Sequence, residues 1–132
     1  YCFATKFASV KLSELAIGIG PFVVGPAVER KIGTSAFSAM TINATKWFDS
    51  SWAREKGLYA EVFDSAEEMD AEIKKLSANL AKSNPEAMEG LKGVMWEGTN
   101  HWDILLMERA ESSGKLVLSD FTKNAINLLK NK

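Results

Sequence analysis

Residues that favour β-strands are concentrated in two parts of the sequence, the first 24 positions and the stretch 58–63. From Ser65 onward, apolar residues recur instead at intervals of three and four, which is the spacing of one face of an α-helix. This asymmetry predicts an α/β chain in which short N-terminal strands are followed by a mostly helical region. Because a sheet with so few strands is marginal in water, we expect it to need further strands.

Capping residues, glycine and proline mark the expected helix boundaries. Pro26 and Gly33 bracket a first helix, in the usual order of proline first and glycine last. Ser65 and Glu68 predict a capping box at the start of a longer one. Other helix starts or ends are predicted at Asp49, Gly57, Asn84, Gly114 and Ser119. The sequence therefore divides into a strand-bearing part, residues 1–64, and a helical part, residues 65–132.

Composition and charge narrow the class of protein. The 132 residues suffice for one core, and 46% hydrophobic with 25% charged residues is typical of soluble globular domains. The net charge of −1, with both signs intermixed, does not favour nucleic acid or an anionic membrane as a partner. No apolar run reaches the roughly 18–20 residues of a transmembrane helix. We therefore expect neither a nucleic-acid nor a membrane partner.

The single cysteine and the single histidine carry little chemistry. Cys2 has no second cysteine to pair with, and its apolar neighbours favour a buried free thiol in a reducing compartment, the cytoplasm. One cysteine and one histidine do not form a cluster of metal ligands, so no metal site is expected. His101, at an expected helix start, is interpreted as a capping or packing residue rather than as a general base.

An isolated carboxylate, Glu14, lies within the apolar run Val10–Gly33. If Val10–Leu15 is a strand, the side chains of Val10, Leu12 and Glu14 point to the same face. A carboxylate that faces a core is costly unless it is paired or has a function. Taken alone, Glu14 is more simply a half-exposed residue at a strand end. The alternative is a proton carrier, because desolvation disfavours the charged form of a carboxylate.

Several motifs follow one another in a characteristic order. They are Ser13-Glu14-Leu15, the turn Gly18-Ile19-Gly20-Pro21, the helix end Arg30-Lys31-Ile32-Gly33, the segment Trp52–Leu58 with the strand-like Tyr59–Phe63, and Asn84-Pro85-Glu86-Ala87-Met88. Their order and spacing, over essentially the whole chain, resemble the crotonase family of enoyl-CoA hydratases and isomerases. The resemblance implies a crotonase-like C-terminal portion. Residues 1–64 would be the end of the core, and residues 65–132 the C-terminal helical and oligomerisation region.

The resemblance also implies a function in acyl-CoA and fatty acid metabolism. Family members hydrate enoyl-CoA or shift its double bond, and two backbone N–H groups stabilise the enolate oxygen. Glu14 matches the second of the two hydratase glutamates and would be a general acid/base. The implied substrate-binding residues are Ile19, Gly20, Pro21, Phe22 and Val23. The coenzyme A thioester is itself the substrate, so no separate cofactor is expected, and the family forms homotrimers that often pair into hexamers.

The sequence departs from the family pattern in two ways. The other glutamate and both oxyanion-hole donors would precede Tyr1, so we expect the C-terminal half of a crotonase, inactive by itself. The family turn is often glycine-rich after the proline, whereas this chain has Phe22-Val23-Val24-Gly25. Phe22 can supply the N–H that helps to hold a water, but its ring would narrow the pocket. A non-catalytic helical association module is the alternative function.

Overall fold

A computed structural model of the chain describes residues 1–130. Its strands are β1 (Phe3–Thr5), β2 (Ser9–Val10), β3 (Phe48–Asp49) and β4 (Glu61–Phe63). Its helices are a 3₁₀ helix (Glu14–Ile17), α1 (Gly25–Ile42), α2 (Ser50–Glu55), α3 (Ala66–Leu80), α4 (Pro85–Met95), α5 (Trp102–Val117) and α6 (Asp120–Lys130). The strands precede Ser65 and helices follow it. The predicted α/β class, with short N-terminal strands before a helical region, is confirmed.

The strands pair in two separate two-stranded ladders. β1 is parallel to β4, with Ala4 opposite Val62, and β2 is antiparallel to β3, with Val10 opposite Phe48. Both ladders join the N-terminal segment to elements much later in the sequence. The first residues of the chain are therefore held by tertiary pairing rather than by a local hairpin.

The predicted strand over Val10–Leu15 is wrong beyond Val10. The pairing of β2 with β3 ends at Val10, and Glu14 opens a 3₁₀ helix instead. Gly18, in the left-handed region at φ 84°, closes this helix, and its N–H donates to Leu15 O (3.1 Å). Since the backbone bonds of this turn are satisfied locally, it needs no partner strand. Glu14 therefore does not share a strand face with Val10.

Helix boundaries follow the predicted punctuation, with one error. Gly33 interrupts α1 (φ 76°, ψ 159°), and the Asp49 carboxylate accepts from Trp52 N at 2.8 Å. Ser65 Oγ accepts from Glu68 N (3.1 Å), which is one half of the predicted capping box, and the Glu68 carboxylate accepts from Asp64 N (3.2 Å) instead of from Ser65 N. The predicted stop at Gly114 is wrong, because α5 continues to Val117. Gly114 does not take a positive φ, and a single helical glycine costs only about 1 kcal/mol relative to alanine.

The hydrophobic core lies within residues 1–64. One cluster of buried side chains joins α1 to β3, and a second joins β1 to α2. Their members are Ile32, Ala36, Met40 and Phe48 in the first and Ala4, Ala53 and Tyr59 in the second. Val10, Trp52 and Leu58 pack against both clusters, which makes the core continuous. This core supports the segment that carries Glu14.

The helices after Ser65 are far more exposed. Within residues 66–130, Thr122 is the only residue that is fully buried. None of the helices formed by residues 1–130 combines the length and the apolar character needed to cross a membrane. The predicted division into domains 1–64 and 65–132 stays a prediction, and residues 131 and 132 lie outside the described residues.

Candidate functional site

A groove of about 460 Å³ brings together all six residues that the sequence analysis selects. Its lining consists of Glu14, Ile19, Gly20, Pro21, Phe22, Val23, Val24 and Ser113. The first seven lie on one short segment, from the first residue of the 3₁₀ helix to the residue before α1. Val24 and Ser113 were not predicted. Apart from Glu14 and Ser113, the lining is apolar or glycine.

Glu14 supplies an unsatisfied acceptor at this groove. The residue is half-buried, its Oε2 atom is inaccessible to solvent, and no described residue donates a hydrogen bond to that atom. Leaving a buried polar atom unpaired costs about 1–3 kcal/mol, and more for a charged one. Because Oε2 is inaccessible in this structure, a movement of the carboxyl group that exposes this atom to the groove would let a water or a bound molecule donate to it.

The backbone of the turn after Gly18 is already hydrogen-bonded. The Phe22 N–H donates to Gly20 O at 2.8 Å, and the Gly25 N–H donates to Pro21 O at the same distance. The resemblance implied that the Phe22 N–H helps to hold a water. In this structure that N–H is occupied by Gly20, so a water could use it only by sharing or replacing that bond.

The Phe22 ring lies directly over Gly20. A Cβ at position 20 would overlap the ring, so the ring can occupy this position only because residue 20 is glycine. The ring forms part of the groove lining and is about 37% exposed. Pro21 between them is buried. The shape of this part of the groove therefore depends on the glycine and the phenylalanine together.

Helix α6 packs against the 3₁₀ helix that carries Glu14. A Cβ at Gly18 would overlap the Phe121 ring and lie 2.9 Å from Thr122 Oγ1. Thr122 is fully buried, and its hydroxyl accepts from Ser119 Oγ at 3.2 Å. The close approach at Gly18 thus lets the C-terminal helix of the described chain support the candidate site.

Helix α5 reaches the same turn from another side. Arg109 Nη1 donates to Phe22 O over a long 3.4 Å, and Ser113, one helical turn later, lines the groove. The spacing of four residues between Arg109 and Ser113 indicates one helix face. Nothing in the sequence connects that face to a turn almost ninety positions earlier, so these two residues could not be found from it.

The remaining candidates lie outside this groove. Among residues 1–130, no group of three or more His, Cys, Asp or Glu side chains is arranged to hold a metal ion. His101 occupies the N-cap position of α5, as predicted, but it is exposed and its side chain makes no capping hydrogen bond. Its carbonyl, rather than its imidazole, accepts the first helical bond from Leu105 N (3.0 Å).

Comparison with known proteins reveals similarity at the level of structure. No family model and no curated protein sequence matches the chain. An enoyl-CoA hydratase/isomerase from Pseudoalteromonas atlantica T6c superposes with a TM-score of 0.86 at 16% identity, over 98% of this chain and 52% of that one. An enoyl-CoA hydratase from Mycobacterium avium gives 0.86 at 22% identity, over 98% and 51%. One from Bacillus halodurans gives 0.83 at 19%, over 96% and 51%.

These identities are low, but the superposition extends over nearly the whole chain. The chain spans about half the length of the enoyl-CoA hydratase structures that it matches. The strand-then-helix order that the sequence predicts is the order that these structures share with it. Residues 1–130 therefore have the fold of the C-terminal helical part of the enoyl-CoA hydratases and isomerases, the crotonase fold.

Proposed function

We propose that these residues form part of an enzyme that acts on acyl-CoA thioesters, by hydrating enoyl-CoA or shifting its double bond, with Glu14 as general acid/base. The observation that carries this proposal is the Glu14 carboxylate, which has a buried oxygen without a partner and lies in a mostly apolar groove. The fold shared with enoyl-CoA hydratases supports the same assignment. Residues 1–132 alone are proposed to be inactive.

A carboxylate in this setting can move a proton at carbon. In isomerisation, it takes the proton from the carbon next to the thioester carbonyl and returns it two carbons further along the resulting dienolate. In hydration, a water oxygen bonds to the β carbon as one of its O–H bonds breaks, the electron pair of the double bond takes up a proton that the carboxyl group gives to the α carbon, and the proton lost by the water restores the carboxyl group. An apolar lining suits this role, because it keeps bulk water away from the carboxylate and the reacting carbon.

The other lining residues are proposed to contact the substrate. Ile19, Gly20, Pro21, Phe22 and Val23 would surround the acyl part of the thioester. Coenzyme A enters as part of the substrate, and the proposal invokes no separate cofactor. Glycine at position 20 would let both the Phe22 ring and the substrate approach the backbone closely.

Glu14→Gln in the full-length protein tests this proposal. The substitution keeps the shape of the side chain and removes the proton carrier, so we expect kcat to fall by about 10² or more with little change in CoA affinity. Loss of the enoyl thioester absorbance measures the rate. Glu89→Gln, on the exposed surface of α4, is the matched control and should leave kcat unchanged. A wild-type kcat in Glu14→Gln would leave Glu14 with a structural role only.

A helical association module is the second candidate function. Helix α4 carries large apolar side chains on its exposed surface, among them Leu91 (59% exposed) and Val94 (66%). Surfaces of this kind commonly mark an interface. In the enzyme proposal the same surface would mediate the expected homotrimer or hexamer, with closed symmetry. The two functions differ in activity, not in the interface.

Light scattering of the purified protein at micromolar concentration tests the association. We expect the mass of a trimer or of its double. The double variant Leu91→Lys with Val94→Lys should lower that mass, because it places charge on the exposed apolar surface of α4. A monomer mass that does not depend on concentration would contradict the interface and remove the second candidate.

A further inference from the structure

Ser113 is the second polar side chain of the groove that contains Glu14. It is half-buried on α5, and its hydroxyl makes no hydrogen bond to any other residue among 1–130. The adjacent Ser112 differs, because it is exposed and its hydroxyl donates to Glu108 O at 3.1 Å. Ser113 therefore offers both a donor and an acceptor at the groove that the described chain does not use.

The position of Ser113 is determined by contacts on the preceding helical turn. Arg109 Nη1 lies 3.4 Å from Phe22 O. A Cβ at Gly25 would lie 3.4 Å from this same Nη1 atom of Arg109. Arg109 thus spans the turn that forms the groove. Because residues four apart lie on one helix face, this contact brings Ser113 to the groove as well.

We infer that Ser113 binds an oxygen-bearing group of the ligand, the hydroxyl of a 3-hydroxyacyl thioester, beside Glu14. The inference rests on the proposed function. Hydration places a hydroxyl on the β carbon and a proton on the α carbon, so the product carries a hydroxyl close to the group that moves the proton. Apart from Glu14 and Ser113, the groove lining consists of apolar residues and glycine. Ser113 is therefore the neutral side chain of the lining that can hydrogen-bond the hydroxyl of the product.

A double-mutant cycle between ligand and protein tests this contact. Calorimetry measures the Kd values of 3-hydroxybutyryl-CoA and butyryl-CoA for the full-length wild type, Ser113→Ala and Ser112→Ala. The wild type should prefer the hydroxylated ligand by about 3- to 10-fold, the value of one net hydrogen bond. Ser113→Ala should reduce this preference to near 1 and leave butyryl-CoA affinity unchanged. Ser112→Ala should behave as the wild type.

The outcomes separate this inference from the proposed function. If the wild type binds neither thioester, the proposed function fails, and the inference that rests on it falls too. If both thioesters bind but Ser113→Ala keeps the wild-type preference, or the wild type has none, only the Ser113 contact is overturned. Ser113→Cys, nearly the same size but a much weaker hydrogen-bonding group, replaces the alanine variant should that variant fail to fold.

Discussion

Residues 1–64 and residues 65–130 contrast in how they are held. In the first region, β pairing and two joined clusters bury side chains such as Met40 (2% exposed) and Ala53 (fully buried). In the second, helices α3 and α4 have regular side-chain caps, yet Thr122 is the only fully buried residue among 66–130. Caps and periodicity can therefore define a helix locally, whereas burial requires a second layer to pack against.

The largest expected difference between the regions is in stability. Met40→Ala removes a core side chain and should lower the free energy of unfolding by about 2–5 kcal/mol. In protein diluted below the concentration at which it associates, Leu91→Ala, on the exposed surface of α4, should change it by less than about 0.5 kcal/mol. Urea unfolding of both variants measures these values. Equal losses in the dissociated protein would show that α4 is covered within a single chain and would remove the contrast.

The two regions meet tightly at Gly18, next to the candidate site. Gly18→Ala and Gly98→Ala both place alanine at a φ near 80°, so both incur similar backbone strain. Only the Gly18 substitution also meets Phe121 and Thr122, since nothing lies within 4 Å of a Cβ at Gly98. We expect Gly18→Ala to lose about 1–3 kcal/mol more than Gly98→Ala.

Hydrogen exchange locates this loss. Amides of α6 should exchange faster in Gly18→Ala than in Gly98→Ala, because the contact that holds α6 on the 3₁₀ helix is disturbed. Equal stabilities and equal protection of α6 in the two variants would contradict the packing of this helix on the site.

The smallest expected effect concerns pH and the core of the first region. Burial, with a smaller contribution from Cys2, raises the pKa of Tyr59 above its ordinary value near 10. The neutral phenol is favoured in the folded state, so its contribution is complete below pH 10 and is lost as pH rises through the folded-state pKa. Tyr59→Phe should reduce the fall of unfolding free energy above pH 10. Tyr1→Phe, at an exposed position, should not. An equal fall of the unfolding free energy above pH 10 in the two variants would contradict a stabilising role of the neutral Tyr59 phenol.

Local features of the fold were predictable from the sequence, and features that need a partner were not. The caps at Asp49, Ser65 and Asn84 join groups two or three residues apart, so the neighbouring residues in the sequence suffice to predict them. The prediction of a strand over Val10–Leu15 was wrong, because a strand forms only where another chain segment pairs with it. The prediction that α5 stops at Gly114 was wrong, because one glycine weakens a helix without ending it.

The candidate site shows the same division. Glu14 and the residues from Ile19 to Val23 lie on one turn, and their grouping was predicted from the sequence because the chain itself keeps them together. Their chemical roles stay a prediction until Glu14→Gln is measured. Ser113 and Arg109 were not predicted from the sequence, because their approach to this turn depends on how α5 packs against it.

By itself the sequence determined the order of strands and helices, most helix caps and the turn that carries Glu14, because each depends on steric and hydrogen-bonding preferences of nearby residues. Only the tertiary structure decided that Glu14 Oε2 is buried without a partner, and that α5 and α6 enclose the same turn. Those outcomes follow from packing between segments far apart in the chain, where side-chain volume and the absence of a Cβ at Gly18 determine what fits.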